Sequence, residues 1–284
     1  MFQLRKEKNM TNLEFANHVK DMLEDVTDKE ITVNEITKNN GQKHVGIIVK
    51  DKDSNIAPTF YVDQFVDKPA YEMVEYILNF KDNRLELQDK ATSIINDKEE
   101  VIKRLRLKLV NKERNKNTDK LFIDLANGLI ATFIIQLDDE ANIPVTQSIA
   151  DNIGLLDVQI YEIAKKNMAE EIDIEDMIEF LSKTQGIPKS FFPPMPPMII
   201  VSNKNKVYGA GVIYADGMKE KLTELIGDFR VIPSSVHEML VVQNMDKEMI
   251  KGIIACVNGE VVHPEEYLSD DLFELVDDGL LRIV

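Results

Sequence analysis

The sequence predicts an α+β protein, with antiparallel sheets, helices packed on one face and a helical middle region. Three observations point there. Short apolar runs are bounded by Asn-Gly and Asp-Gly turn signals, as in hairpins. Between them lie segments with apolar residues at helical spacing behind capping residues. The last ninety residues twice repeat a strand–strand–helix rhythm, which places helices against an antiparallel sheet. The chain has 284 residues, 44% hydrophobic and 30% charged. That is material for one large core or two modest ones, and it excludes disorder throughout.

Taken in order, residues 11–27 read as a helix opened by a Thr11/Glu14 capping box, with Leu13, Phe15, Ala16, Val19, Met22, Leu23 and Val26 at helical spacing. Ile31–Ile36 and His44–Val49 read as strands around Asn40-Gly41, Pro58–Val62 as a third, and Pro69 as the start of a helix. Residues 90–116 read as one long helix. Its basic part, 98–116, holds Lys103, Arg104, Arg106, Lys108, Lys112, Arg114 and Lys116 beside Val101, Ile102, Leu105, Leu109 and Val110. Leu121–Leu125 and Leu129–Leu137 read as strands around Asn127-Gly128. A helical block follows at 146–153, 155–171 and 173–185, with Thr146 and Asp173 as N-caps.

Pro188, Pro193, Pro194, Pro196 and Pro197 then crowd into ten residues, interleaved with Phe191, Phe192, Met195 and Met198. This reads as a stiff connector, 188–197, that packs its aromatics on its neighbours and separates a region 10–187 from a region 198–284. Beyond it, strands are expected at Met198–Val201, Val207–Tyr214, Phe229–Ile232, Met239–Val242, Leu272–Val276 and Leu280–Val284. Helices capped by Asp216 and Asp246 complete the pattern.

No apolar run approaches the ~20 residues of a membrane span. The N-terminus has charges but no apolar core of a signal peptide, so residues 1–9 read as an upstream extension and the cytoplasm as the compartment. Cys256, the single cysteine, reads as a core thiol. Charge is uneven. Residues 1–120 balance 22 basic against 22 acidic side chains, so 12 basic and 28 acidic fall in 121–284, and the net −16 belongs there. Such a surface disfavours nucleic acid and anionic membranes. It serves solubility, or it docks on a basic protein.

The run Ile232-Pro-Ser-Ser-Val-His-Glu238 is the most suggestive for chemistry. In extended backbone Ser235 and His237 point to one face and Glu238 to the other. A turn whose hydroxyls bond nearby backbone is the competing reading of Ser234 and Ser235. No Gly-x-Ser-x-Gly elbow or phosphate-binding glycine loop occurs. His18, His44, His237 and His263 have no metal-ligand spacing. A convergence of His237, Glu238, His263 and Asp270 is the one metal set considered, and neither metal nor cofactor is expected. Asp138-Asp139, Glu170-Glu171 and Asp270-Asp271 lack the apolar setting of catalytic acids. Glycines in Tyr208-Gly-Ala-Gly211 sit inside an expected strand and mark a bulge or a close backbone contact rather than a dinucleotide fingerprint.

Several segments in the same order resemble an uncharacterised bacterial family, of Firmicutes type, defined as a domain of unknown function. They are Lys108-Leu-Val-Asn-Lys-Glu-Arg114, Leu121-Phe-Ile-Asp-Leu125, Ser202-Asn203-Lys204 with Tyr208-Gly-Ala-Gly-Val-Ile-Tyr214, Ile232-Pro-Ser-Ser-Val-His-Glu238, and Val257-Asn258 with Pro264-Glu-Glu-Tyr-Leu-Ser-Asp270. Ala126-Asn127-Gly128 stands where the family pattern often continues with basic or aromatic residues. The resemblance implies a cytoplasmic protein of anaerobic-type genomes and their mobile elements, and it brings no activity. It selects Asn203, Ser234, Ser235, His237, Glu238, Asn258 and Asp270 as candidates for a shared site; Tyr208 joins Asn203, Asn258 and Asp270 as a binding candidate.

Three readings follow. The favoured one is a non-enzymatic binding or regulatory protein acting through a protein partner. The second is a hydrolase or transferase using Ser235 and His237. The third is nucleic-acid binding through the basic helix 98–116.

Overall fold

The computed structural model describes residues 10–50, 52, 57–65, 67–80, 84–116, 120–138, 141–194, 196–243, 246–256, 258, 262–277 and 279–284, with the side chains of 84–88, 247, 253 and 256 left aside. The extension 1–9, Asp139, Met195, Val257 and the Cys256 thiol lie outside the described residues. The chain divides into two units, 1–92 and 93–284.

In the first unit, helix α1 (Asn12–Glu24) opens with the expected capping box: Thr11 accepts from Glu14 N, and Glu14 accepts from Thr11 N at 2.8 Å. Strands β1 (Glu30–Thr37) and β2 (Lys43–Lys50) pair antiparallel about Asn40 and Gly41. Both turn residues have positive φ, 58° and 70°, the backbone that a tight hairpin with right-handed strand twist requires. Strand β3 (Thr59–Tyr61) joins the other edge of β2, and helix α2 (Ala70–Leu78) follows Pro69. Phe15, Val19 and Leu23 of α1 meet Ile31, Ile47, Phe60, Met73 and Ile77 in one hydrophobic core.

The second unit begins within α3 (Arg84–Ile95) and continues through α4 (Lys98–Arg104) into strand β4 (Leu105–Asn111). The long helix expected over 90–116 is therefore corrected. Leu105, Leu107 and Leu109 are buried and alternate with half-buried Arg106 and Lys108, and that period of two decides for a strand. Basic side chains that would line one helix face are dispersed. Lys103 and Arg104 pair with Glu100, Arg106 with Glu171, Lys112 with Asp124 and Lys116 with Glu113, while Arg114 lies on the Tyr267 ring.

Strand β4 pairs with β6 (Leu129–Gln136), which also pairs with β5 (Phe122–Asp124) and β7 (Asn142–Pro144). Helix α5 (Gln147–Ile153) has Thr146 as its cap, and α6 (Asp157–Ala169) lies against β4. Strand β8 (Ile172–Asp176) and helix α7 (Met177–Gln185) replace the helix expected over 173–185; its cap is Asp176, not Asp173.

A six-stranded antiparallel sheet completes the unit in the order β13-β12-β10-β11-β9-β8. The new strands are β9 (Met198–Asn203), β10 (Phe229–Ser235), β11 (Glu238–Gln243), β12 (Phe273–Leu275) and β13 (Leu281–Ile283). Ile200, Ile232, Leu240 and Val242 face Ile250 and Ile254 of helix α9 (Lys247–Cys256), whose cap is the expected Asp246. Val201, Val231, Met239 and Val241 are buried on the opposite face.

Strand β8 pairs with β9, Ile174 opposite Val201, on either side of the 188–197 stretch. Three further expectations change. The prolines of that stretch are exposed, and Phe191 is 77% exposed rather than packed. Residues Gly209–Tyr214 form a 3-10 segment, not a strand, with all six residues buried. Helix α8 (Met218–Ile226) starts at Gly217 without a side-chain cap, because Asp216 pairs with Lys165 at 2.9 Å. No helix among the described residues is long and apolar enough to cross a membrane.

Leu107 is fully buried beneath the 3-10 segment, where a Cβ on Gly211 would come 2.6 Å from its Cδ2. We expect Leu107→Ala to cost about 2–5 kcal/mol, measured as a fall in urea midpoint at constant slope.

Candidate functional site

Asn203 closes the loop after β9 by bonding both ends of one residue: its Nδ2 donates to Val207 O at 2.9 Å and its Oδ1 accepts from Val207 N at 3.1 Å. That clamp delivers Tyr208 in the left-handed region, φ 54°, a backbone conformation a β-carbon-bearing residue adopts only when its surroundings enforce it. Here Tyr208 N donates to His237 Nδ1 at 3.2 Å, and the two rings stack with centroids 5.4 Å apart and planes 13° from parallel.

His237 itself sits in the β10–β11 turn. Ser235 ends β10, Val236 and His237 turn the chain, and Glu238 begins β11 opposite Ser235. The extended heptad expected over 232–238 is therefore interrupted. Ser235 and His237 do not alternate along one strand; Ser235 Oγ accepts from His237 N at 3.1 Å, the local hydroxyl-to-backbone bond of a turn. Ser234 Oγ donates to Glu238 Oε1 at 3.3 Å. Ser202 Oγ donates to His237 O at 2.8 Å, and His237 Nε2 lies 3.5 Å from Glu266. Because Nδ1 accepts from Tyr208 N–H, a neutral His237 carries its proton on Nε2, facing that carboxylate.

Lys108 projects from β4 over the Tyr208 ring, its ammonium 3.9 Å from the centroid, and makes no ion pair among the described residues. Burial pushes this amine down to about 8, with the Lys120 charge adding to the effect and Glu265 opposing it. Burial also raises Tyr208, helped by the charges of Glu265 and Glu266.

A second cluster lies along the 264–270 loop. Asn258 Nδ2 donates to Ser269 O at 2.9 Å and to Asp270 Oδ1 at 2.8 Å. Tyr267 is pushed up to about 12, first by burial and then by its bond to Asp270, while Arg114 stacks 3.7 Å from its ring centroid. Asn111 ties the loop to β4 by donating to Leu268 O at 2.7 Å, and Val236 N donates to Glu266 O at 2.8 Å. The structure thus gathers Asn203, Tyr208, Ser235 and His237 in one cluster and Asn258 with Asp270 in another. Among the described residues no hydrogen bond joins Asn258 or Asp270 to Ser235 or His237.

Sequence reasoning missed Lys108, Glu266, Arg114 and Tyr267 as site members. The period-two alternation of β4 was the signal that would have placed Lys108 on an outward face. A small pocket beside the cluster, lined by Arg106, Gln136, Asn142, Asn203, Val207 and Tyr208, encloses about 20 Å³, room for roughly one water. Among the described residues no group of three or more His, Cys, Asp or Glu side chains is arranged to hold a metal ion.

A family model described as a family of unknown function, DUF5688, matches residues 12–275. No curated protein and no solved structure matches the chain.

A Cβ on Gly209 would lie 2.2 Å from Ser202 Oγ, 2.5 Å from Asn203 N and 2.7 Å from His237 O. Two of those atoms are backbone and cannot yield. We expect Gly209→Ala to cost about 3 kcal/mol, at the upper end of overpacking penalties, read from urea unfolding. Lys108 gives the opposite sign. The unfolded chain holds its proton up to the ordinary lysine range, whereas the folded chain releases it near pH 8. Its charged form thus destabilises the fold below pH 8, and the cost fades as pH rises toward 10.5. Lys108→Met is expected to be more stable than the parent by about 1 kcal/mol at pH 7, the cation–π contact offsetting part of the gain. Urea titrations from pH 7 to 10 should show that advantage vanish.

Proposed function

We propose, from the premise that the chain belongs to the DUF5688 family of unknown function, that it is a non-enzymatic binding protein acting through a basic protein partner. The observation that carries this reading is how Ser235 and His237 spend their polar atoms. Tyr208 N–H occupies the Nδ1 lone pair, and the Ser235 hydroxyl accepts from the His237 backbone. A hydrolase needs an imidazole lone pair free to take the serine proton and a third group to orient the ring. In this geometry the remaining ring nitrogen is a donor aimed at Glu266. The cluster reads as a clamp that holds a surface in shape.

The charge of residues 121–284 supports the partner's chemistry. The net −16 falls on residues 121–284, within the second unit. An acidic face steers a basic partner and releases it as salt screens the attraction.

Immobilised chain, exposed to lysate at low and high salt, should retain basic proteins that high salt elutes, and Ser235→Ala and His237→Gln should retain the same set. The reading fails if no basic protein is held in either condition. It fails equally if the purified chain hydrolyses activated esters or amides and both substitutions abolish that turnover while the circular dichroism spectrum is kept.

A further inference from the structure

We propose that Lys108 is a carbonyl-binding amine, taking a small aldehyde that carries an anionic group and holding it as an imine. This chemistry goes beyond the basic partner above and uses none of the acidic surface.

The placement of Lys108 sets it apart from the cations around it. Arg106 and Lys112, on the same stretch of chain, each find a carboxylate, Glu171 and Asp124. Lys108 makes no ion pair among the described residues and lies instead over the Tyr208 ring. Its stem is fixed. Leu107 and Leu109 on either side are fully buried, and Thr132, opposite it on β6, donates its hydroxyl to Lys108 O at 3.0 Å. The ring is fixed as well, by the Asn203 clamp, by the Tyr208 N–H bond to His237 and by the stack between the two rings. The side chain is half-buried, so the amine has lost much of its hydration while a small solute can still reach it.

A lysine held this way suits carbonyls better than charge pairing. An ammonium has no lone pair to offer, whereas a desolvated amine near a second cation does, and such lysines form imines. Burial, with the Lys120 charge behind it, brings Lys108 down to about 8. At pH 7 it therefore has roughly 300 times the neutral fraction of a lysine titrating at 10.5. Its nitrogen attacks the aldehyde carbon, a C–N bond forms, and the carbonyl oxygen leaves as water with the two hydrogens of the amine. The product is a neutral imine, which burial favours over a charged amine. Lys120 defines the other end of the ligand. The charge that repels the Lys108 ammonium attracts an anionic group on the aldehyde, and Glu265 opposes both effects.

Reductive trapping on the full chain tests this. Glyoxylate is added with cyanoborohydride, which delivers hydride to the imine carbon and leaves a stable carboxymethyl group on the nitrogen; the modified lysines are then mapped by mass spectrometry. At pH 7 Lys108 should carry roughly tenfold more adduct than any other lysine, its enclosure offsetting part of the advantage in neutral fraction. Its labelling should be half-maximal near pH 8, while the other lysines keep gaining toward their ordinary range. Lys108→Arg should lose this adduct and no other, and urea that unfolds the chain should erase the preference. Acetaldehyde, which lacks the carboxylate, should favour Lys108 less than glyoxylate does, and Lys120→Gln should bring the two aldehydes level. Lysate capture by Lys108→Arg should match the parent, so this site and the basic partner fail separately. The idea is overturned if Lys108 is labelled no faster than the other lysines, if its preference survives in urea, or if glyoxylate has no advantage over acetaldehyde.

Discussion

The second unit depends on how closely residues 209–214 approach both of its sheets. Gly209 lies so near Ser202, Asn203 and His237 that no side chain fits, and a Cβ on Gly211 would come 2.6 Å from Leu107 and 3.2 Å from Met168. Two glycines, two residues apart, therefore let one short 3-10 turn touch the six-stranded sheet and β4 at once. Tyr214 closes the same segment from the other end, its hydroxyl accepting from Asn127 Nδ2 at 3.2 Å while Asn127 also donates to Leu281 O. A β-carbon at either glycine would push the sheets apart, and close packing transmits such a displacement instead of absorbing it.

The polar cluster follows from that approach. With Gly209 pressed against the β10–β11 turn, Tyr208 must enter from a left-handed conformation, and its backbone N–H meets the His237 ring. The strain is held by several bonds acting together: the Asn203 clamp, the Ser202 bond to His237 O, and the Tyr208–His237 stack. Lys108 then finds a ring face instead of a carboxylate, and its lost hydration lowers its proton affinity. A perturbed lysine here is thus a consequence of packing.

The first unit is organised differently. Its core is filled from one face of α1, one face of α2 and the inward side of a three-stranded sheet. The outward side of α2 keeps Tyr71 and Tyr76 in solvent.

Local chemistry was legible wherever one short-range interaction decides the backbone. The Thr11/Glu14 box, the Asn40-Gly41 hairpin and the Thr146 and Asp246 caps all depend on residues within a few positions of each other. So did the turn reading of Ser235, whose hydroxyl bonds a neighbour two residues away. The sequence by itself therefore determined the α+β class, most strands and the Thr11, Thr146 and Asp246 caps, though not the cap at Asp176. Tertiary structure alone decided the rest. Residues 105–109 carried a period-two signal too short to outweigh the flanking helical spacing, and pairing with β6 ended the helix at Arg104. Residues 209–214 are buried on all sides, so no periodicity marked their conformation. The meeting of Lys108, Tyr208, His237 and Glu266 joins residues up to 158 positions apart, since 266 less 108 is 158. Contacts at that separation are fixed by which surfaces pack, and local propensity carries no record of them.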